Sequence, residues 1–165
     1  MTLGLEKEFL DHIEANQKII NKICFIYCKN RSDIEDMYQE IILQLWKSYP
    51  SFEGRSAFST WMYRVALNTA ITSNRKFPAF IETGRSEDIA CDSELMADSS
   101  EEIKLLYKAI SKLDKVEKAI ILMWLDNMSY KEISETTGIS IKNVSVKIVR
   151  VKVKLANNLK NILSK

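Results

Sequence analysis

The sequence predicts an all-α protein made of two small helical domains, and three observations carry this prediction. Only 4 glycines and 2 prolines occur in 165 residues, too few for the many turns of a β architecture. Apolar residues recur at intervals of three and four along most of the chain, which is the period of an amphipathic helix. Between these stretches, Ser or Asp is repeatedly followed three residues later by Glu, the pattern of an N-terminal capping box.

Residues 1–77 form the first predicted domain, with three long helices. The apolar face of the first helix consists of Phe9, Ile13, Ile20, Ile23, Cys24 and Tyr27. The second helix is expected to begin at the capping pair Ser32 and Glu35 and to end before Pro50. The third is predicted over residues 57–75, after the turn-rich stretch YPSFEGRS.

Residues 103–165 form the second predicted domain, with four helices. The expected capping pairs are Ser99 with Glu102, Asp114 with Glu117, and Ser129 with Glu132. The helix after Ser129 is short and is expected to stop at Gly138 in a left-handed C-cap. Ser140 then caps the last helix, whose inward face is predicted to hold Val144, Ile148, Val151, Leu155, Leu159 and Ile162.

Residues 129–150 give the strongest local signal in the chain. A short capped helix, a glycine turn and a second capped helix are the layout of a helix-turn-helix. The side chains that point outward from the second helix are expected to include Lys142, Asn143, Ser145, Lys147 and Arg150. Asn reads adenine, and Lys and Arg reach guanine or phosphate, so this set suits a DNA major groove. The alternative is a helical hairpin whose lysines only keep it soluble.

Charge is distributed unevenly along the chain, although the formal net charge is only +2. Residues 1–80 carry a net charge of +1, residues 81–102 carry −7, and residues 103–165 carry +8. The strongly basic last part favours a nucleic-acid partner. Residues 78–102 are interpreted as an acidic flexible linker, either a solvated spacer or a segment whose negative charge has a specific role.

The chain offers little for catalysis, metal binding or membrane insertion. His12 is the single histidine, and no phosphate-binding glycine loop, HExxH or GxSxG motif occurs. Cys24 and Cys28 are predicted to be small core residues in a reducing compartment, because only His12 and Cys91 remain to complete a four-ligand zinc site. We therefore expect no catalytic residue, metal or cofactor. Without an apolar run of about 18 residues or a signal-peptide pattern, the sequence predicts a cytoplasmic protein.

Eight aromatic residues lie in the 35 residues from Trp46 to Phe80. The cations Arg55, Arg64, Arg75 and Lys76 are interleaved with them. Aromatic faces with cations can form a stacking platform for single-stranded bases. Aromatics at helical spacing more often pack a core, and both interpretations stay open from composition alone.

Taken together, the two halves resemble the extracytoplasmic-function (ECF) group of bacterial RNA polymerase sigma factors over residues 5–77 and 103–160. In the first half the resemblance rests on residues of SDIEDMYQEIILQLW and FEGRSAFSTWMYRVALNTAITSNRK, and in the second half on SYKEISETTGIS and the helix after it. Each motif alone is moderately specific, but their order and spacing are highly specific. The recognition helix departs from the common family pattern, so the bases that it reads do not carry over.

The resemblance implies a mechanism and a set of sites. The first domain would bind the clamp helices of core RNA polymerase through Asp33, Glu35, Asp36, Gln39 and Glu40. It would bind the minus-ten promoter element, and help to melt it around a flipped base, through Phe52, Ser56, Phe58, Ser59, Arg64, Asn68, Arg75 and Lys76. The second domain would contact the polymerase flap and bind the minus-thirty-five element as duplex through Lys142, Asn143, Ser145, Val146, Lys147 and Arg150. Trp61 is expected in the core.

The resemblance also implies an anti-sigma partner, and it implies that the linker threads near the RNA exit path of the polymerase. Three other functions are compatible with parts of the sequence. The first is a helix-turn-helix transcriptional regulator with a helical N-terminal interaction domain. The second is a helical adaptor without a nucleic-acid role, and the third is an enzyme, for which one histidine and scattered carboxylates supply no catalytic constellation.

Overall fold

The computed structural model describes residues 2–73 and 100–164. Every regular element in these two ranges is helical, which confirms the predicted all-α class. The first range contains α1 (Thr2–Ala15), α2 (Gln17–Tyr27), α3 (Arg31–Ser48), a 3₁₀ turn (Tyr49–Ser51) and α4 (Phe58–Ser73). The second contains α5 (Glu101–Ile110), α6 (Lys115–Leu125), α7 (Tyr130–Thr137) and α8 (Ile141–Leu163).

The first predicted helix is broken in two at Asn16. This residue has φ −118° and ψ 16°, outside the helical region. Its side-chain Nδ2 donates to the carbonyl oxygen of His12 at 2.8 Å, and its backbone N–H donates to the carbonyls of His12 and Ile13. Asn16 thus satisfies two of the carbonyls in the last turn of α1, and α2 begins at the next residue.

Two of the predicted capping boxes are observed, at Asp114 with Glu117 and at Ser129 with Glu132. The predicted start of α3 is wrong, because Asn30 rather than Ser32 accepts the first-turn N–H, that of Asp33 at 2.8 Å. The predicted start of α5, with Ser99 as its N-cap, is one residue too early. Its N-cap is Ser100, which accepts from the N–H of Ile103.

The N-terminal unit packs α3 and α2 against α4 around a dense apolar core. Ile20, Ile23, Ile41 and Leu45 are inaccessible to solvent, as is Cys24. Complete burial of an aliphatic side chain of this size contributes about 1.5–3 kcal/mol. The prediction that Cys24 and Cys28 are core residues is confirmed by their exposures of 0% and 1%.

In the C-terminal unit, α8 packs along α5, α6 and α7. Its buried face holds Val144, Ile148, Val151 and Leu155, as the periodicity predicted, while Leu159 and Ile162 pack only partly against the core. Residues 78–99 of the predicted linker (78–102) lie outside the described residues. Its last three residues, 100–102, form the N-cap and first turn of α5. Glu101 and Glu102 favour that position because acidic side chains stabilise the positive end of a helix dipole.

The two units contact each other through the α2 and α4 side of the first and the α5, α6 and α7 side of the second. Lys22 Nζ lies 2.6 Å from Asp126 Oδ2, and the hydroxyl of Tyr63 donates to the same oxygen. The hydroxyl of Tyr27 donates to the backbone carbonyl of Lys115 at 2.6 Å. Polar contacts that span 63 to 104 residues of sequence therefore hold the units together.

Candidate nucleic-acid and polymerase interfaces

The helix-turn-helix consists of α7, Gly138 and α8, as predicted. Gly138 has φ 78° and ψ 4°, and its N–H donates to the carbonyl of Ser134 at 2.8 Å, which closes the C-terminus of α7. The Ser140 side chain accepts from the N–H of Asn143 and begins α8. Ile133 and Val144 are fully buried between the two helices. This packing fixes α8 relative to α7 and leaves one side of α8 open to solvent.

The open side of α8 carries most of the residues predicted to bind duplex DNA. Those that are exposed are Lys142, Asn143, Val146 and Arg150. Ser145 and Lys147 are half-buried and lie at the edges of this side. Sequence reasoning missed Val149, which is 61% exposed. A helical wheel centred opposite Val144 and Ile148 identifies it, since it lies three residues after Val146 on the same face.

The aromatic residues before and inside α4 form one cluster rather than separate platforms. Phe58 lies at its centre, 8% exposed, with its ring stacked on His12 at 4.3 Å between centroids. Phe52 lies at the rim, half-buried, with its ring 5.6 Å from Phe58 and 5.1 Å from Trp61. Phe58 therefore supports the cluster from within, and Phe52 and Trp61 are both half-buried at its edge, although Trp61 was expected in the core.

The two predicted serines flank Phe58 of this cluster, Ser56 in the segment before α4 and Ser59 in the helix itself. Gly54 takes a φ of 72° there, and Ser56 is exposed with its hydroxyl donating to the carbonyl of Ala57 at 3.2 Å. Ser59 is half-buried in the first turn of α4. Ser56 and the edge of Phe52 thus lie on the same short stretch of chain, open to a ligand.

Arg64 and Asn68 lie one turn apart on the side of α4 that meets the C-terminal unit. The Arg64 guanidinium donates to the backbone carbonyl of Glu135 at 2.8 Å. Both side chains line a cavity of about 220 Å³ whose opposite wall includes Val116 and Thr136. α6 and α7 thus border the part of α4 that was predicted to bind the minus-ten element, where Arg64 and Asn68 themselves remain exposed. Arg75 and Lys76, predicted for the same site, lie outside the described residues.

The residues predicted to bind the polymerase lie along α3. Asp36 and Gln39 are exposed, and Glu35 is exposed with an ion pair to Arg31 at 3.2 Å. Asp33 and Glu40 are half-buried and hydrogen-bonded to amides of Asn30 and Gln44 respectively. Three of these side chains therefore lie on the surface, and two are half-buried and make local hydrogen bonds. The exposed ones are Glu35, Asp36 and Gln39, and the half-buried ones are Asp33 and Glu40.

A groove of about 550 Å³ runs beside this acidic face, between α1 and α3. Its wall is largely apolar and consists of Glu6, Phe9, Leu10, Tyr38, Gln39, Ile42, Leu43 and Trp46. Leu43 and Leu10 are 44% and 61% exposed, although both are apolar. Neither leucine was predicted from the sequence, because only charged and amide side chains of α3 carry the family resemblance and Leu10 belongs to α1.

Burial shifts the pKa values of two thiols and one amine toward their neutral forms. Burial raises the pKa of the Cys24 thiol to about 12 and also raises that of Cys28, so neither is a reactive thiolate. Burial, together with the nearby Lys29 charge, lowers the pKa of the Lys118 amine to about 8. Within residues 2–73 and 100–164, no three His, Cys, Asp or Glu side chains come together in a way that could hold a metal ion.

The helices of the two described ranges include none that is long and apolar enough to cross a bilayer. The predicted binding residues lie mainly on three described surfaces: the α8 face, the aromatic edge at Phe52, and the α3 face with its groove. Each is built from side chains that bind macromolecules through charge, hydrogen bonds and apolar area rather than from catalytic groups.

Comparisons with known proteins match both halves of the chain. The family model for sigma-70 region 2 matches residues 12–76, and that for sigma-70 region 4 matches residues 103–155. The ECF RNA polymerase sigma factor SigW of Bacillus subtilis is 28% identical, over 96% of this chain and 92% of the relative. The ECF RNA polymerase sigma-E factor of Escherichia coli K12 is 29% identical, over 79% of this chain and 76% of the relative.

Two solved structures share the fold. The sigma factor RpoE from Bartonella quintana, in complex with the anti-sigma factor NepR, aligns with a TM-score of 0.72 at 18% identity, over 93% of this chain and 98% of that one. CnrH in complex with the cytosolic domain of CnrY aligns with a TM-score of 0.67 at 18% identity, over 94% and 90%. With both family models in the expected order, the chain belongs to the ECF group of RNA polymerase sigma factors, non-enzymatic DNA-binding proteins that bind core polymerase and direct the initiation of transcription.

Proposed function

We propose that residues 103–165 form the domain that reads the minus-thirty-five promoter element as duplex. The observation that carries this proposal is the open face of α8, where Lys142, Asn143 and Arg150 project side by side from a helix fixed by its turn at Gly138. An α-helix of this kind fits the major groove, and these side chains hydrogen-bond to base edges and phosphates. Ser145 and Lys147, at the edges of the face, suit contacts to the flanking phosphates.

Residues 1–77 form, in this proposal, the domain that binds the minus-ten element and helps to melt it. A base that leaves the duplex needs a surface that compensates for its lost stacking, and the exposed edge of Phe52 beside Ser56 supplies one. Ser59 completes the rim of that surface, and Phe58 supports it from within the core. The remaining minus-ten contacts are assigned to Arg64, Asn68, Arg75 and Lys76.

The polymerase contact of the first domain is assigned to α3. The exposed Glu35, Asp36 and Gln39 suit a basic helical partner such as the clamp helices, with Asp33 and Glu40 at the margin. The adjoining groove with Leu43 adds the apolar area that a stable interface needs at its centre. The flap of the polymerase is assigned to the C-terminal domain by family resemblance.

The protein is proposed to act in the cytoplasm and to be held inactive there by an anti-sigma factor. Both solved relatives are complexes with a protein of that kind or with the cytosolic domain of a partner. Residues 78–102 are assigned as the acidic linker between the domains, with a net charge of −7 over residues 81–102.

Promoter binding through Arg64 replaces one of the contacts between the two units in this account. The Arg64 guanidinium, although exposed, is hydrogen-bonded to the backbone carbonyl of Glu135 of the second unit, and residues of α6 and α7 line the cavity beside it. The α8 face, by contrast, is already open. A minus-ten contact by Arg64 therefore breaks a hydrogen bond between the units that duplex recognition leaves intact.

The duplex assignment is tested by salt-dependent binding of the polymerase holoenzyme to a promoter. Arg150→Ala is expected to lower affinity for the upstream element about tenfold and to reduce the slope of log affinity against log salt by about 1. The control is Lys160→Ala, which removes an exposed cation from the last turn of the same helix. Equal effects of the two substitutions would show that the α8 face contributes only general positive charge.

The melting assignment is tested with 2-aminopurine placed in the minus-ten element. Phe52→Ala is expected to reduce the fluorescence rise on promoter opening by at least threefold, because a flipped base loses its stacking partner. Tyr130→Ala, which removes an exposed aromatic from the other unit, serves as the control. Normal opening by the Phe52 variant would overturn this assignment and leave the duplex assignment standing.

A further inference from the structure

Three valines lie exposed on the DNA-facing side of α8. Val146 is 40% exposed, Val149 is 61% exposed and Val153 is 58% exposed, whereas Val144 and Val151 of the same helix are buried. Single exposed apolar residues are ordinary on a protein surface. These three instead recur at intervals of three and four, so they form a stripe along one face.

The stripe begins inside the cluster of polar residues assigned to duplex recognition. Val146 follows Lys142 by four residues and Asn143 by three, and it precedes Arg150 by four. At these spacings the side chains are neighbours on the helix surface. Val149 is three residues beyond Val146 and adjoins the same patch. A surface that combines two cations, an amide and two branched apolar side chains matches a partner that is anionic and also offers apolar groups.

Duplex DNA supplies this combination in its major groove. The groove is bordered by phosphates, and the C5-methyl of thymine is the apolar group that base pairs present there. We propose that Val146 and Val149 are specificity-determining residues that contact thymine methyl groups in the minus-thirty-five element. Asn143, one turn before Val146, then lies where an adenine of a neighbouring A·T pair can be read. The proposal rests on the assignment of α8 to duplex recognition and adds the class of base read.

Replacing thymine by deoxyuridine tests the proposal directly, because it removes the methyl group and leaves every hydrogen-bonding group in place. The holoenzyme is titrated with promoter duplexes in which each thymine of the upstream element is replaced in turn. At one or two positions we expect affinity to fall about three- to fivefold, the effect of burying one methyl group. Replacements elsewhere in the element are expected to change affinity less than twofold.

Valine variants link each sensitive position to a residue. Val146→Ala or Val149→Ala should weaken binding to the thymine duplex about three- to fivefold, and the variant should lose most of the deoxyuridine effect at one position. Val153→Ala is the matched control, since it shortens an exposed valine one turn further along the same stripe. Its sensitivity to deoxyuridine should equal that of the unsubstituted protein. Alanine favours helix, so all three variants should fold.

The outcomes separate this proposal from the function on which it rests. If deoxyuridine has no effect at any position while the holoenzyme still binds the upstream element, the thymine contact is wrong and the duplex assignment stands. If Val146→Ala lowers affinity for core polymerase but not for DNA, the stripe is a protein contact and the proposal is overturned. If the holoenzyme does not recognise the upstream element at all, the duplex assignment fails and the proposal fails with it.

Discussion

Gly138 has a φ of 78°, in the left-handed region that residues with a Cβ avoid. A Cβ built at this position meets no atom within 4 Å, so the requirement for glycine comes from the backbone and not from crowding. The angle sets the direction in which the chain leaves α7 and enters α8. The geometry of the helix-turn-helix therefore depends on one residue that makes no side-chain contact.

Gly138→Ala is expected to lower the free energy of unfolding by about 1 kcal/mol, the usual cost of forcing a Cβ into this conformation. Urea unfolding followed by circular dichroism measures the change. Gly4→Ala is the control, because Gly4 lies in α1 with open space around it, and alanine there should leave stability equal or slightly higher. A loss of the same size at both positions would contradict the argument from backbone conformation.

Two asparagines, Asn30 and Asn16, set helix boundaries that the local sequence patterns did not predict. The pair Ser32 and Glu35 matches the capping-box pattern, yet Asn30 caps α3 and Glu35 pairs with Arg31 instead. Asn and Ser are nearly equivalent as N-caps, so a pattern that recognises only one of them misplaces the helix start by two residues. Asn16 breaks the first helix for a related reason, since its amide can satisfy a backbone carbonyl inside an otherwise continuous apolar pattern.

At the scale of elements, the N-terminus of α7 combines a cap with a contact between units. Glu132 accepts from the backbone N–H of Ser129, and Thr60 of α4 donates to its other carboxylate oxygen at 3.0 Å. The hydrogen bond from Ser129, followed by that from Thr60, lowers the pKa of the Glu132 carboxyl below its usual value of 4.5. Glu132 therefore stabilises the folded state above pH 4.5, and this contribution is lost as the pH falls through the lowered folded-state pKa.

Glu132→Gln should consequently cost about 0.5 kcal/mol of stability at neutral pH, and the difference from the unsubstituted protein should shrink as the pH drops below 4.5. Thermal unfolding measured between pH 3 and pH 7 tests this expectation. Glu135→Gln, on the same helix but outside the cap, is the control. A stability difference for Glu132→Gln that stays constant across this pH range would contradict the assigned role of the charge.

The helix-turn-helix was predictable as an element because its signals are local. Ser129, Glu132, Gly138 and Ser140 all act within four residues of their own positions, and each has the predicted role in the structure. The exposed valines of α8 were only half predicted. The family resemblance implies a DNA contact for Val146, whereas Val149 was missed although Val144 and Ile148 were correctly predicted to face inward.

At the scale of the whole molecule, contacts between the units join residues that no sequence pattern connects. Asp126 accepts from both Lys22 and Tyr63, which lie in α2 and α4. The lysine side chain is only 14% exposed, so removing Asp126 would leave a largely buried amine without its ion-pair partner. These residues carry no motif, and their separation of 63 to 104 positions places their contact beyond prediction by local periodicity.

Asp126→Ala is expected to weaken the contact between units by about 1–2 kcal/mol, because it leaves the Lys22 amine and the Tyr63 hydroxyl without their acceptor. Small-angle scattering should then show a larger radius of gyration. Asp11→Ala, which removes an exposed carboxylate from α1, is the control and should leave the scattering unchanged. If the Asp126 variant scatters as the unsubstituted protein does, this cluster does not hold the units together.

Run-off transcription with purified core RNA polymerase tests the central claim most directly. The chain is added to core enzyme and a library of promoter-containing fragments from its own genome, and transcripts are mapped at their 5′ ends. The account predicts initiation from a limited set of promoters that share an upstream and a downstream element, and none from core enzyme alone. Absence of any transcript that depends on the chain, with a polymerase shown to be active with another sigma factor, would contradict it.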